Sequence, residues 1–229
     1  MSAATAIEAA GPAIALRTRM LVVSFGERVR ACSWAVLGGG FATASHVAWV
    51  EVRDDELRPP VEPCALARER LRAEGVGGDV VTLLTSRRVA SYETHVLVER
   101  DLWVRAVGTV GLGNALRAGD PAGVAGRIGT INLLVYASAP LTDEALLEAN
   151  AIATEAKTAA VLEGGIVSRR TGRAATGTGT DCTVIACATS AGRRERYAGK
   201  HTRLGALVGA AAHHVVREGV RRWLEENAR

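Results

Sequence analysis

A chain of 229 residues with 48% hydrophobic content and a net charge of +4 is long enough to bury a sizeable core and lies near the upper end for one domain. Its basic residues are scattered, with pairs at Arg87-Arg88, Arg169-Arg170 and Arg193-Arg194 in presumed loops and no stripe interleaved with aromatics, so nucleic-acid binding is disfavoured. Four cysteines (Cys32, Cys64, Cys182, Cys187) without CxxC spacing, no basic leader before an apolar run and no uncharged apolar stretch of about 18 residues argue for free thiols, against secretion and against a membrane span, and lead us to expect a cytoplasmic protein.

Residues 1–18 are alanine-rich and interrupted by Gly11-Pro12, which reads as a loosely packed tail ahead of a single domain spanning 19–229. Met20 to Phe25, Val29 to Val36 and His46 to Val52 read as three short strands of an antiparallel opening. Ala65 to Glu74 reads as a charged helix stopped by Gly75, and Asp79 to Leu84 as the strand after it. Val96 to Val110 has the pattern of a hairpin, and Ile128 to Tyr136 is the clearest strand. Thr142 is placed to cap a helix running to about Leu162, with Asp143 and Glu144 in its first turn and Leu141 stapling Leu146. Cys182 to Cys187 is a short apolar strand, and apolar residues from Leu204 to Trp223 keep a helical period behind Thr202, a second cap. Strands early and two long helices late predict an α+β fold with a layered mixed sheet, an α/β sandwich being the alternative. The loops at Thr176 and Tyr197 would then lie at opposite ends of the last strand.

The richest chemistry lies in Thr176-Gly177-Thr178-Gly179-Thr180-Asp181, where hydroxyls, free N–H groups and one acid precede a buried strand. A glycine-rich turn is the bland alternative. Glu155 and Lys157 sit two positions apart on a helix and diverge, so each alone reads as a solvated surface residue. Asn132 lies inside a strand, either satisfying backbone or reaching into a site. Gly111-Leu112-Gly113-Asn114-Ala115-Leu116 begins like a dinucleotide loop but lacks the third glycine, and Gly199-Lys200-His201-Thr202 departs from a P-loop at two positions. Ser24 lacks the first glycine of GxSxG, and alternation turns Cys182 away from Asp181, so nucleophile readings there are weak. His213 and His214 are neighbours rather than a metal-binding i, i+4 pair, and no HExxH is present.

Four segments in order, GTIN (129–132), ATEAKTAAVLE (153–163), TGTGTD (176–181) and YAGKHTRLG (197–205), resemble the adenosylcobinamide amidohydrolases of corrinoid salvage, with the likeness running from about Arg19 to about Trp223. The resemblance implies hydrolysis of the amide between a corrin propionyl arm and aminopropanol, or the nucleotide loop, giving adenosylcobyric acid. A non-catalytic corrinoid carrier is the alternative. The corrinoid is the expected small-molecule partner, its cobalt arriving within the substrate, with no intrinsic cofactor expected, a catalytic metal left open and a homo-oligomer possible. Asp181 or Glu155 would serve as base toward water, His201 as general acid, and Lys157 or the threonine loop as oxyanion binder. Asn114, Asn132, Thr176, Thr178, Thr180 and Lys200 would bind substrate, and the early glycine cluster adds Gly39. That cluster, Trp34 to Gly40, lacks the asparagine expected before a glycine pair in relatives, so any contact it makes there is missing or replaced. Trp34, Trp49, Trp103, Tyr136 and Tyr197 are candidates to stack on a corrin or adenosyl face, although strand tryptophans are more often core.

Overall fold

The computed structural model describes residues 11–123, 129–189 and 194–228. Eight strands form one sheet in the order β4-β3-β2-β10-β8-β6-β5, with β1 pairing β2 beside this path. They are β1 (Ala13–Arg17), β2 (Met20–Ser33), β3 (Gly40–Glu51), β4 (Val80–Thr85), β5 (Glu93–Glu99), β6 (Leu102–Val110), β8 (Ile131–Ala137) and β10 (Cys182–Cys187). A two-residue ladder joins β7 (Ala115–Leu116) to β9 (Gly177–Thr178). The helices are α1 (Pro63–Ala73), α2 (Asp143–Glu163) and α3 (Arg203–Asn227). The fold is therefore α+β and layered, on a mixed sheet.

Two departures from the sequence reading have clear causes. Residues 13–17 are not tail but strand, because Ala13 to Arg17 pair in antiparallel register with Ser24 to Met20; residues 1–10 lie outside the described residues. Met20 to Phe25 and Val29 to Val36 are not separate strands either. Both belong to β2, which ends at Ser33 rather than Val36, and they are joined through a register shift between Ser24 and Val29 where Gly26 takes a positive φ of 73° that a side chain disfavours. The start of the strand expected from Ile128 also falls outside the described residues, and β8 begins at Ile131.

The helix ends follow the expected chemistry. Thr142 Oγ1 accepts the Ala145 N–H at 3.3 Å and Thr202 Oγ1 the Gly205 N–H at 2.9 Å, so both long helices start at hydroxyl caps. Leu141 and Leu146 are both fully buried, as a staple requires. Alternation along the strands divides the core. Val104, Ala106, Leu133, Val135 and Ile185 face α2 and α3, while Met20, Val22, Ala48 and Val50 face Leu71 of α1. On the other face the sheet curls: Trp49, Val81 and Leu83 from one wing meet Val107, Leu134 and Tyr136 from the other. Trp49 is thus core, fully buried. Among the described residues no helix is long and apolar enough to cross a membrane.

Candidate active site

Parallel pairing of β8 with β10 sets Asn132 opposite Cys182, so the GTIN and TGTGTD segments enter the sheet side by side at one end. Helix α2 starts beyond the far end of β8, runs back across the sheet, and brings Lys157 down onto the second segment. Lys157 Nζ lies 2.5 Å from Asp181 Oδ2, with the two side chains only 10% and 7% exposed. Desolvating two charges is costly, and such a pair persists only when further hydrogen bonds satisfy it. They do so here. Asp181 Oδ2 also accepts the Thr178 N–H at 3.1 Å, and Oδ1 accepts the Thr178 hydroxyl at 2.5 Å and the Ile131 N–H at 3.0 Å. Gly177 makes room for this cluster: a Cβ there would collide with the Asp181 carboxylate and stand 2.9 Å from Lys157 Nζ.

The loop from Thr176 to Asp181 divides two pockets. One, of about 480 Å³, is polar at its base, where Lys157, Asp181, Thr178 and Thr176 meet Thr154 and Thr158 of α2. The other, of about 470 Å³, has apolar walls from Trp34, Val52, Leu83 and Cys182, and a polar end made by Asn114, Thr130, Asn132 and Thr180. This second pocket opens where the curled wings of the sheet approach each other. Asn132 ties them together, donating from Nδ2 to the Leu84 carbonyl at 2.8 Å, while its own carbonyl accepts Trp49 Nε1–H at 3.5 Å. Thr130 Oγ1 sits 2.8 Å from the Thr180 carbonyl and 3.2 Å from Asn132 Oδ1. Trp34 is 54% exposed, yet its indole N–H donates to the Asp181 carbonyl at 2.6 Å, which fixes one wall of the pocket against the loop.

The remaining candidates divide cleanly. Asn114 accepts the Gly179 N–H through its carbonyl at 3.3 Å, and Thr176 accepts the Ala118 N–H through its hydroxyl at 2.8 Å, so both belong to the same neighbourhood. Glu155 and His201 do not join Asp181. Glu155 points outward into an exposed ion pair with Lys200. The 195–202 segment is held near the far end of β10, where Glu195 bonds the backbone of Pro140 and Thr142 and the Ala198 N–H donates to Glu148 Oε2 at 2.6 Å. His201 there is exposed and precedes the α3 cap. Gly39 lies in the exposed turn before β3, outside both pockets.

Other readings lose their support from the geometry. Residues 115–116 after Gly111-Leu112-Gly113-Asn114 form β7 rather than a helix N-terminus, so the dinucleotide loop lacks its phosphate-binding element. Burial pushes the Cys182 thiol up to about 12, which keeps it protonated near neutral pH. His213 pairs with Glu163 and His214 stacks on His95 with ring centroids 3.8 Å apart, both away from the loop. Two contributors escaped the sequence reading. Thr130 lies inside the GTIN segment, where nothing in the pattern sets it above Asn132, and Gly177 matters for the volume it leaves empty, a signal carried only by its place between two hydroxyl residues and an acid.

Among known proteins, residues 7–228 match the family model described as adenosylcobinamide amidohydrolase. A stretch of 94 residues, 41% of this chain, is 38% identical to the uncharacterised protein MJ1613 of Methanocaldococcus jannaschii, of which it spans 36%. Among solved structures, the PH0078 protein from Pyrococcus horikoshii OT3 aligns over 94% of this chain and 83% of that one with 11% identity and a TM-score of 0.44, too distant a likeness to bear on fold or function.

Proposed function

The chain belongs to the adenosylcobinamide amidohydrolase family, and from that premise we propose that it hydrolyses the amide joining a corrin propionyl arm to aminopropanol or to the nucleotide loop, releasing adenosylcobyric acid for corrinoid salvage. The observation that carries this reading is the buried Lys157–Asp181–Thr178 cluster, which forms the polar base of one pocket, with an apolar-walled pocket across the same loop. An amide resists hydrolysis because its carbonyl is a poor electrophile and its nitrogen a poor leaving group. A catalyst must therefore supply a nucleophile, hold the developing oxyanion and protonate the nitrogen.

The cluster offers each of these. Lys157 spends one N–H on Asp181 and keeps two for a substrate carbonyl, and its low exposure strengthens that interaction over what water permits. Asp181 is placed to take and return a proton through Thr178. A corrin ring is too large to enter either pocket whole. In this reading it lies across the mouth, with Trp34 and the apolar walls against its hydrophobic edge and one amide arm reaching the polar base. Incubation of the purified protein with adenosylcobinamide, with and without a chelator, tests the reading by mass spectrometry. Adenosylcobyric acid is the expected product; tight binding without any product would reassign the protein as a corrinoid carrier.

A further inference from the structure

We propose that Thr178 is the nucleophile, so that the reaction passes through an ester between Thr178 Oγ and the substrate's acyl group; the proposal rests on the amidohydrolase reading above. Asp181 has no vacant acceptor position for a water. Its partners are the Ile131 and Thr178 N–H groups, the Lys157 ammonium and the Thr178 hydroxyl. Of these the hydroxyl and the Lys157 ammonium become nucleophiles on losing a proton, but an acyl-lysine would be an amide as resistant as the substrate, whereas acylation of the hydroxyl gives an ester that water opens readily.

Neighbouring hydroxyls are committed elsewhere, which singles out Thr178. Thr180 Oγ1 donates to the Gly129 carbonyl at 3.0 Å, Thr158 Oγ1 to the Thr176 carbonyl at 3.2 Å, and Thr154 Oγ1 to Asn150 Oδ1 at 3.4 Å. Thr176 Oγ1 receives the Ala118 N–H. Among these five hydroxyls the Thr178 oxygen alone faces a carboxylate, at 2.5 Å, and it also lies 3.5 Å from the Thr180 N–H, a donor suited to the negative charge that develops there. Its neighbours on both sides, Gly177 and Gly179, add no side chain of their own beside it in the pocket that Thr178 lines.

The steps balance as follows. The Thr178 proton passes to Asp181 Oδ1 as Oγ bonds the amide carbon, and the carbonyl electron pair moves onto oxygen, facing the remaining Lys157 N–H groups. Collapse of this adduct breaks the C–N bond. Nitrogen leaves with the electron pair and takes the proton from Asp181, so free amine departs and the acyl group stays as an ester on Thr178. A water then gives its proton to Asp181 while attacking the ester, and Thr178 Oγ leaves with that proton. Carboxylic acid and regenerated enzyme result.

The test is turnover of adenosylcobinamide in hydroxylamine, combined with acid-quenched peptide mass mapping under enzyme excess. Wild-type protein is expected to divert product to the corrinoid hydroxamate and to carry an acyl adduct on the peptide containing Thr178. Thr178→Ser should keep activity within about tenfold, whereas Thr178→Ala should lose about 10³-fold or more while still folded at the assay temperature, its melting temperature lowered only by the lost hydrogen bond to Asp181. Wild-type turnover with neither hydroxamate nor adduct, or a Thr178→Ala variant within tenfold of wild type, overturns the nucleophile and leaves the amidohydrolase reading intact. No turnover of any corrinoid amide by the wild type sinks both.

Discussion

Lys157 illustrates what a single residue does here that its local sequence conceals. On a helix with Glu155 two places away it has the appearance of a surface lysine, yet it is buried onto a carboxylate 24 positions further along the chain. Removing one member of a buried pair strands the other's charge, at a cost of about 3–5 kcal/mol. Lys157→Met is therefore expected to lower urea stability by about 3 kcal/mol, the low end of that range, because Asp181 keeps its hydrogen bonds from Thr178 and Ile131. Adding Asp181→Asn should restore part of the loss, and additive single and double losses would contradict a coupled pair. Gly177→Ala probes the same cluster by volume. Its methyl displaces the carboxylate from Lys157, so turnover of the corrinoid should fall about 10²-fold while secondary structure, followed by circular dichroism, is kept. Full activity in Gly177→Ala would show that the ion pair's geometry is irrelevant to catalysis.

Between elements, Glu56 plays the joining part. It sits in a 3-10 turn at Asp54–Leu57, and its carboxylate binds Arg19 from the β1–β2 turn, Arg70 of α1 at 2.7 Å and its own Arg53 N–H at 2.7 Å. The Arg19 hydrogen bond, the largest influence, drops its carboxyl to about 2. A folded value below the unfolded one, about 4.3, means that the contribution is complete above about pH 4.3 and is lost as pH falls toward 2. The stability advantage of wild type over Glu56→Gln in urea should therefore be constant from neutral pH down to about 4.5 and shrink below it. An advantage that does not change between pH 5 and 2.5 would remove Glu56 as the tie. Elements of this kind also show what the chain's local pattern can and cannot reveal. Both long helices were legible because their caps, Thr142 and Thr202, and the Leu141–Leu146 staple act within a few residues. Strand β1 was not, since five residues with an exposed majority gain their identity only from the partner they pair with. The same reason hid the parallel β8–β10 pairing, and with it the meeting of Asn132 and Asp181. Likewise nothing in the local pattern of the YAGKHTRLG segment shows that the cap and the Glu148 contact hold it at the end of the sheet away from Asp181.

At the scale of the whole molecule, α3 can lie flat on β6 only because glycine occupies the contact on each side. A Cβ on Gly219 would stand 2.8 Å from Val110 Cβ, and one on Gly108 would stand 2.9 Å from Val215 Cγ1. Backbones that close leave no room for an added side chain without a shift of the helix, and the shift would loosen the layer that also positions α2 and hence Lys157. Gly219→Val is expected to cost about 2–3 kcal/mol through overpacking, a little of it offset by the better helix propensity of valine. Ala210→Val places the same side chain on the exposed face of the same helix and should cost about 0.5 kcal/mol, which is propensity alone. Urea midpoints measure the two costs. Amide exchange in β6 and β8 then locates the Gly219 effect, because strands at the centre of a sheet open only when the whole domain does, so their protection should fall by the full loss in stability. Equal costs for the two valines would mean that the helix rides clear of the sheet; unequal costs with protection lost only at the end of α3 would mean that it frays without carrying the core. A loss shared by the helix and both strands makes the glycine contact part of the cooperative unit on which the Lys157–Asp181 site is built.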